Sequence, residues 1–377
     1  IDASIENFRR ALALAPNRVD IHREFIELNF ELGRTADMFA ALDEAMKRSP
    51  DAAVLVLKGE LSLQAGDCEA ALACARAATN ANRQSAPAFG LEAKALRATG
   101  RFDRALDAAR EAVGRSPDDF SLVRLCCEIE IAAGHPASAA KRLSREAPIE
   151  HLQKHVALKA TAMRVAGDPD YLRYYDYDRF TAQIDIDPPQ GFSNIAAFNE
   201  ALRAAIAPLH RTAQRPLDQT LFGGTQSPGR LWNEAHPVIR RYAETMLAAA
   251  RRFAAGLPDD AAHPFLARKS LHLECAGAWS VILSSGGGHV DHIHPAGWIS
   301  ACYYVESPPE IFAGARAGFL RLGATGVPGL SLPAERYFPP RPGSVVFFPS
   351  YVWHGVEPFT AQSPRVTAPF DLAPAAP

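Results

Sequence analysis

Through the first half of the chain, apolar residues fall three and four positions apart in runs of about a dozen, the spacing of one face of a helix. Glycines close these runs at a fixed interval: Gly33, Gly66, Gly100, Gly134 and Gly167 lie 33, 34, 34 and 33 residues apart. Small residues keep step with them. Ala71, Ala105 and Ala139 follow their glycines by five residues and Ala45, Ala78 and Ala112 by twelve, where two helices must approach closely. Pro16, Pro50 and Pro117 stand where a helix has to stop before the next unit begins. After Pro264 the pattern shortens: 271–275, 278–283, 298–305, 318–322, 344–348 and 366–370 are short, β-branched or aromatic, and bounded by Gly and Pro. Strands at this spacing predict a sandwich or barrel, preceded by helices over 194–211 and 232–256. Composition shifts near Asp185–Gln190, which places a domain boundary there: 1–185 helical, 186–377 β-rich.

The 34-residue pattern resembles the tetratricopeptide repeat over residues 1 to about 180, with Met38 at an alanine position as a departure. Two antiparallel amphipathic helices cannot bury their own apolar face, so such units stack into an α-solenoid whose concave side is a groove for a peptide or protein partner. The last unit ends in the aromatic, acidic run Tyr171–Asp178. That run is expected to seal the solenoid against the second domain, with a peptide-lining role as the alternative.

Charge narrows the partners. Lys+Arg 40 against Asp+Glu 42 leaves a net −2 with no run of like charge, which disfavours nucleic acid. Apolar stretches such as Gly343–Tyr351 fall short of the ~20 residues that span a bilayer. The six cysteines, none paired at zinc-knuckle spacing, read as reduced thiols of a cytoplasmic protein. The chain opens at Ile1 without an initiator methionine, which leaves open whether residues precede it.

Histidine then points to chemistry. Three of the twelve, His289, His292 and His294, lie in one strand-joining loop; His354 follows a later strand and Arg365 comes eleven residues after it. Two imidazoles and a third ligand from a distant strand make a facial iron site, leaving positions for a chelating co-substrate and dioxygen. The loop offers two pairs, His292 with His294, or His289 with Asp291, which would add a carboxylate. Arg365 suits a carboxylate clamp, and Thr367 lies on the same strand face.

The segments His292-Ile293-His294-Pro295, Tyr303-Tyr304-Val305, Arg341–Ser350, Trp353-His354-Gly355 and Arg365-Val366-Thr367, with Gln219–Ser227 upstream, resemble the 2-oxoglutarate- and Fe(II)-dependent dioxygenases over about 186–375. The likeness is to the bacterial and phage branch marked by His-x-His-Pro, in which Asn is usual where Asp291 stands. It implies a double-stranded β-helix (jelly-roll, cupin-like) with flanking helices. It further implies Fe(II), 2-oxoglutarate as co-substrate and dioxygen, with ascorbate as an accessory. His292, His294 and His354 would then hold the metal, Arg365 and Thr367 the co-substrate, and Tyr303 or Tyr304 a further hydroxyl. Trp298 and Trp353 flank the expected mouth, for substrate contact or for packing. The implied reaction decarboxylates 2-oxoglutarate to succinate and hydroxylates a C–H of a peptide or protein held by the repeats. A small-metabolite oxygenase using its repeats for assembly, and a repeat scaffold with an inactive cupin-like domain, are the other readings.

Overall fold

The computed structural model describes residues 2–31, 39–48, 51–210, 220–228, 230–314 and 316–375; Gly33, Met38, Pro50 and Gln219 lie outside them. Two compact units divide the chain, one of Ile1–Ser144 with Val327–Gly329, the other the remainder from Arg145. Among the described residues no helix is long and apolar enough to cross a membrane.

The first unit contains α1 (Asp2–Leu14), α2 (Val19–Glu31), α3 (Ala40–Arg48), α4 (Ala52–Gln64), α5 (Cys68–Ala81), α6 (Ala86–Ala98), α7 (Phe102–Arg115), α8 (Phe120–Ala132) and α9 (Pro136–Arg142). The glycine period has a backbone cause. Gly66, Gly100 and Gly134 end α4, α6 and α8 with φ of +86°, +73° and +84°, the left-handed region that favours glycine. The next residue's N–H then reaches back to the helix, Asp67 to Ser62 O, Arg101 to Leu96 O and His135 to Glu130 O, at 2.7–2.9 Å. Asp51, Asp67, Ser85 and Asp119 cap the helices that follow them. Ala71, Ala105 and Ala139 are fully buried, and Ala45, Ala78 and Ala112 nearly so. Glu60, Lys94 and Glu128 recur at 34 residues and tie neighbouring units: Glu60 takes both Arg23 and Lys94 at 3.0 Å, and Arg97 meets Glu128 at 2.7 Å. Beside them a cleft of about 630 Å³ is lined by Val19, Arg23, Val56, Glu60, Asn82 and Pro87.

The second unit begins with α10 (Leu152–Val165), which stands where a fifth repeat would and ends at Gly167 with φ +75°. Among the described residues no second repeat helix follows it; a 3₁₀ turn (Pro169–Arg173) and the single turn α11 (Tyr177–Phe180) come next. Its apolar face packs on the β-rich part instead. Trp353 Nε1 donates to Thr161 Oγ1 at 3.0 Å, with Lys154 Nζ 4.4 Å from the Trp353 ring centre. Tyr175 stacks on Tyr351, and the hydroxyls of Tyr171 and Tyr177 donate to Glu335 at 2.7 and 2.8 Å. The units therefore part at Ser144/Arg145, well before the change of composition at 185/186.

The remaining elements are β1 (Ala182–Asp185), α12 (Ile195–Ile206), β2 (Leu221–Gln226), α13 (Pro237–Gly256), β3 (Leu273–Ala278), β4 (Val281–His292), β5 (Ile299–Glu306), β6 (Leu320–Leu322), β7 (Arg336–Phe338), β8 (Ser344–Pro349), β9 (His354–Val356) and β10 (Arg365–Pro374). They form an antiparallel, barrel-like sheet in the order β1-β8-β5-β10-β4-β9-β6-β7, with β2 on β4 and β3 on β10.

Alternation along the strands sorts the side chains. One face meets α12 and α13, where Phe198 and Tyr242 pack against Tyr303, and Phe253 stacks on Phe347 at 5.1 Å. Phe370 of β10 lies on this face, against Tyr242 and Phe347. Arg365, Thr367 and Asp371, of opposite parity, turn to the interior. There the register pairs Thr367 with Tyr304 and Asp371 with Ser300.

Candidate functional site

Strand pairing assembles the histidines. In the β4–β9 ladder His292 stands opposite His354. His294, two residues past the end of β4, is fixed by its backbone N–H on Ser350 O at 3.0 Å. Ring centroids lie 4.2 Å apart for His292–His354, 4.9 Å for His294–His354 and 5.1 Å for His292–His294. One ligand nitrogen from each falls within 4.8 Å of the others.

Hydrogen bonding sets the tautomers. Nδ1 of His292 lies 2.8 Å from Val290 O, Nδ1 of His354 3.0 Å from Val352 O, and Nδ1 of His294 2.5 Å from Asp371 Oδ2. Backbone carbonyls only accept, so His292 and His354 carry a proton on Nδ1 and, as neutral rings, keep a lone pair on Nε2, while an ionised Asp371 takes the Nδ1 proton of His294. His292 Nε2 and His294 Nε2 face each other at 3.1 Å, a separation that either a proton on His294 or a metal ion ligated by both nitrogens would satisfy. Burial holds the pKa of His292 and of His354 well below the ordinary histidine value, and the neighbouring imidazoles push the same way. Three convergent imidazoles fit a first-row transition metal such as iron.

The expected strand-joining loop is largely strand, since β4 runs through His289, Asp291 and His292, and the pair His289 with Asp291 does not converge. Asp291 is held by Arg321, Nε to Oδ1 at 2.9 Å and Nη2 to Oδ2 at 2.8 Å, and Arg321 also meets Glu357 at 3.0 Å. His289 lies beside the cluster, its ring 5.8 Å from His292 and its Nδ1 3.3 Å from Thr220 Oγ1. Burial, with the charge of Arg365, pushes its pKa down to about 3. A register shift between His289 and His292 against β9 separates the two pairs. Of the upstream motif, Leu221–Gln226 forms β2, which pairs Leu221 with His289.

Arg365 is 1% exposed, yet its Nε and Nη2 have no hydrogen-bond partner, and neither has the buried hydroxyl of Tyr304. Its guanidinium carbon lies 5.3 Å from the Tyr304 ring centre. Among the described residues no carboxylate pairs with it. A buried, unpaired guanidinium costs several kcal/mol, so the site is shaped for an anion brought from outside, and a carboxylate fits its fork. Thr367 is buried across the ladder from Tyr304. Tyr303 is not part of this site: alternation turns it to the helices, where its hydroxyl donates to Asn199 Oδ1 at 2.6 Å. Arg321 and Arg341 are engaged elsewhere, Arg341 with Asp185 at 3.0 Å. Neither tryptophan lines the site. Trp298 is fully buried with Nε1 on Phe265 O at 2.8 Å, and Trp353 packs on α10.

Sequence reasoning missed Asp371 and the two serines behind it. Asp371 is 6% exposed and receives His294 on one oxygen and Ser300 Oγ on the other at 2.6 Å. The one hint in the sequence is that it shares the odd parity of Arg365 and Thr367, which by itself does not mark it as functional.

Residues 277–371 match the family model described as "Putative 2OG-Fe(II) oxygenase". No curated protein matches the chain. Similar solved structures include a tetratricopeptide repeat protein from Parabacteroides merdae, at 16% identity over 47% of this chain and 71% of the other, TM-score 0.36. A prolyl-4-hydroxylase of Pseudomonas putida matches at 19% identity over 54% and 97%, TM-score 0.34. A further repeat protein, from Thermus thermophilus, matches at 17% over 42% and 88%, TM-score 0.35. The matched segment contains the three histidines, Arg365 and Asp371, so a C-terminal segment similar to the 2-oxoglutarate/Fe(II) oxygenases follows an N-terminal half built of helical repeats.

Proposed function

We propose that the C-terminal domain is a double-stranded β-helix dioxygenase, dependent on Fe(II) and 2-oxoglutarate, that hydroxylates a side chain of a peptide or protein recruited by the repeats. The observation that carries this reading is the juxtaposition of three convergent histidines with a buried arginine whose Nε and Nη2 have no protein partner. His292, His294 and His354 would hold the iron, Arg365 the far carboxylate of 2-oxoglutarate, and Tyr304 and Thr367 would add hydroxyls to it. With both groups bound, dioxygen is consumed, 2-oxoglutarate becomes succinate and carbon dioxide, and one oxygen atom is inserted into a C–H bond.

The chain's own part is orientation and shielding. Backbone carbonyls and Asp371 lock the rings so that all three converge without reorganisation. Phe348 packs 4.7 Å from the His354 ring and Trp279 5.2 Å from that of His294, which keeps water off those faces. The cleft beside Arg23 and Glu60 supports recruitment of a peptide, whose binding energy would hold the reacting carbon in place.

The test is succinate formation by the full chain with Fe(II) and 2-oxoglutarate, with and without candidate peptides, beside a chain starting at Arg145. The shorter chain is expected to keep slow turnover and lose stimulation by the peptide. Unaltered efficiency on the same substrate would favour the small-metabolite reading, and iron-independent or absent succinate formation would remove the oxygenase.

A further inference from the structure

We infer that Asp371, acting through His294, supplies the negative charge that a three-histidine iron site otherwise lacks. The inference rests on the reading of His292, His294 and His354 as metal ligands.

A facial site built from two histidines and a carboxylate places one negative charge directly on the metal. Three neutral imidazoles place none. Asp371 Oδ2 lies 2.5 Å from His294 Nδ1, while Oδ1 lies 2.6 Å from Ser300 Oγ, which is itself 2.9 Å from Ser350 Oγ. Each hydroxyl has one proton to give. With the Ser300 proton on the carboxylate side, an ionised Asp371 accepts on both oxygens, from His294 on one and from Ser300 on the other. Ser300, Ser350 and Asp371 are all buried, at 1%, 0% and 6% exposure.

Among the described residues no lysine or arginine reaches this carboxylate. A buried anion without a counter-charge is costly, and His294 is where it can be offset, by a proton on the ring or by a metal ion at its Nε2. A carboxylate behind a ligating imidazole fixes the ring and makes it a stronger donor. The surroundings leave room for this chain and little else: a Cβ at Gly297 would stand 2.4 Å from Ser350 Oγ and 3.2 Å from Asp371 Cβ. Backbone bonds from Ser350 N to Trp298 O and from Trp298 N to Leu372 O hold the three segments together.

Asp371 is thus a positioning residue whose charge, and not only its shape, matters. Asp371→Asn separates the two, since the amide oxygen can still accept from Nδ1–H. Full-length parent, Asp371→Asn, Ser300→Ala and His354→Ala, each first shown by a separate thermal melt of the metal-free protein to be folded, are titrated with Co(II), whose visible spectrum reports its ligands. Asp371→Asn should bind Co(II) about 10–100-fold more weakly, with the Fe(III)/Fe(II) midpoint moved upward. Ser300→Ala keeps the charge and should bind as tightly as the parent or more so. In the metal-free parent, the His294 Nδ1 proton should appear far downfield, a readout that needs no variant to fold. Equal affinity and midpoint in Asp371→Asn, an equal loss in Ser300→Ala, or no such resonance would each overturn the role of the charge. A parent that binds no Co(II), or His354→Ala binding it as tightly, would overturn the ligand reading and this inference together.

Discussion

Replacing Arg365 with methionine should move stability and co-substrate binding in opposite directions. Methionine occupies a comparable space but carries no charge and no donors. Nε and Nη2 of Arg365 are buried with no protein partner, and a buried donor left unbonded costs about 1–3 kcal/mol. The contact of the guanidinium with Tyr304 at 5.3 Å returns about 0.5–2 kcal/mol. Removing both should leave Arg365→Met more stable than the parent by about 1–3 kcal/mol, or about 2–4 °C in Tm for each kcal/mol. Binding of 2-oxoglutarate should meanwhile weaken by the worth of a buried charged pair, about 2–5 kcal/mol, or at least thirtyfold in Kd. Differential scanning calorimetry of the metal-free protein and anaerobic titration calorimetry of the Co(II) form measure the two quantities. Arg365→Lys keeps the charge without the fork and should fall between them. A metal-free Arg365→Met that melts below the parent would make Arg365 a structural element, and one that keeps its 2-oxoglutarate affinity would move the clamp elsewhere.

Three further outcomes are expected. Asp291→Asn should keep metal stoichiometry and lose stability through its bond to Arg321, whereas His292→Ala should lose the metal; metal analysis of the two purified variants decides between the loop pairs. Tyr304→Phe should weaken 2-oxoglutarate roughly three- to tenfold with little change in Tm, while Tyr303→Phe should leave affinity alone and destabilise by about 1–2 kcal/mol, because the buried Asn199 oxygen loses its donor. Because His289, His292 and His354 all have folded pKa values below the ordinary value of ~6.5, the unfolded chain binds protons first as pH falls. Metal-free stability should therefore be full above about pH 7 and fall below about pH 6.5, by up to ~1.4 kcal/mol per unit for each histidine; urea denaturation that is flat between about pH 7.5 and 5 would contradict the burial of these rings as neutral species.

The repeats were legible because their period is a backbone constraint: a left-handed residue must close each first helix, and glycine accepts it at Gly66, Gly100, Gly134 and Gly167. The same signal misled at the end. Gly167 continues the period, but a 3₁₀ turn and a single helical turn take the place of a second helix after it, and sequence periodicity does not report what a helix will find to pack against. Histidine spacing at His292, His294 and His354 carried most of the site, since strand-end positions converge when the strands pair. Choosing Tyr304 over Tyr303 needed the identity of the covering helices, which alternation alone does not supply. Asp371 stayed hidden because a lone acid near the end of a strand has no motif around it; its meaning comes from Ser300, which lies opposite it only once β5 and β10 are in register.

Strand β10 gives one face to the oxidative site and the other to the hydrophobic core, and its neighbours β4 and β5 pin it on both sides. A one-residue insertion between Arg365 and Asp371 would not merely displace a ligand. It would rotate the rest of the strand by half a turn, sending a carboxylate toward Tyr242 and a phenyl ring toward the histidines. Substitutions at its even positions can drift among apolar types, and those at its odd positions can be tuned one at a time. Its length has no such freedom. Divergence of this domain should therefore be recorded in loops and in outward-facing side chains, while the seven-residue count from Arg365 through Asp371 stays frozen.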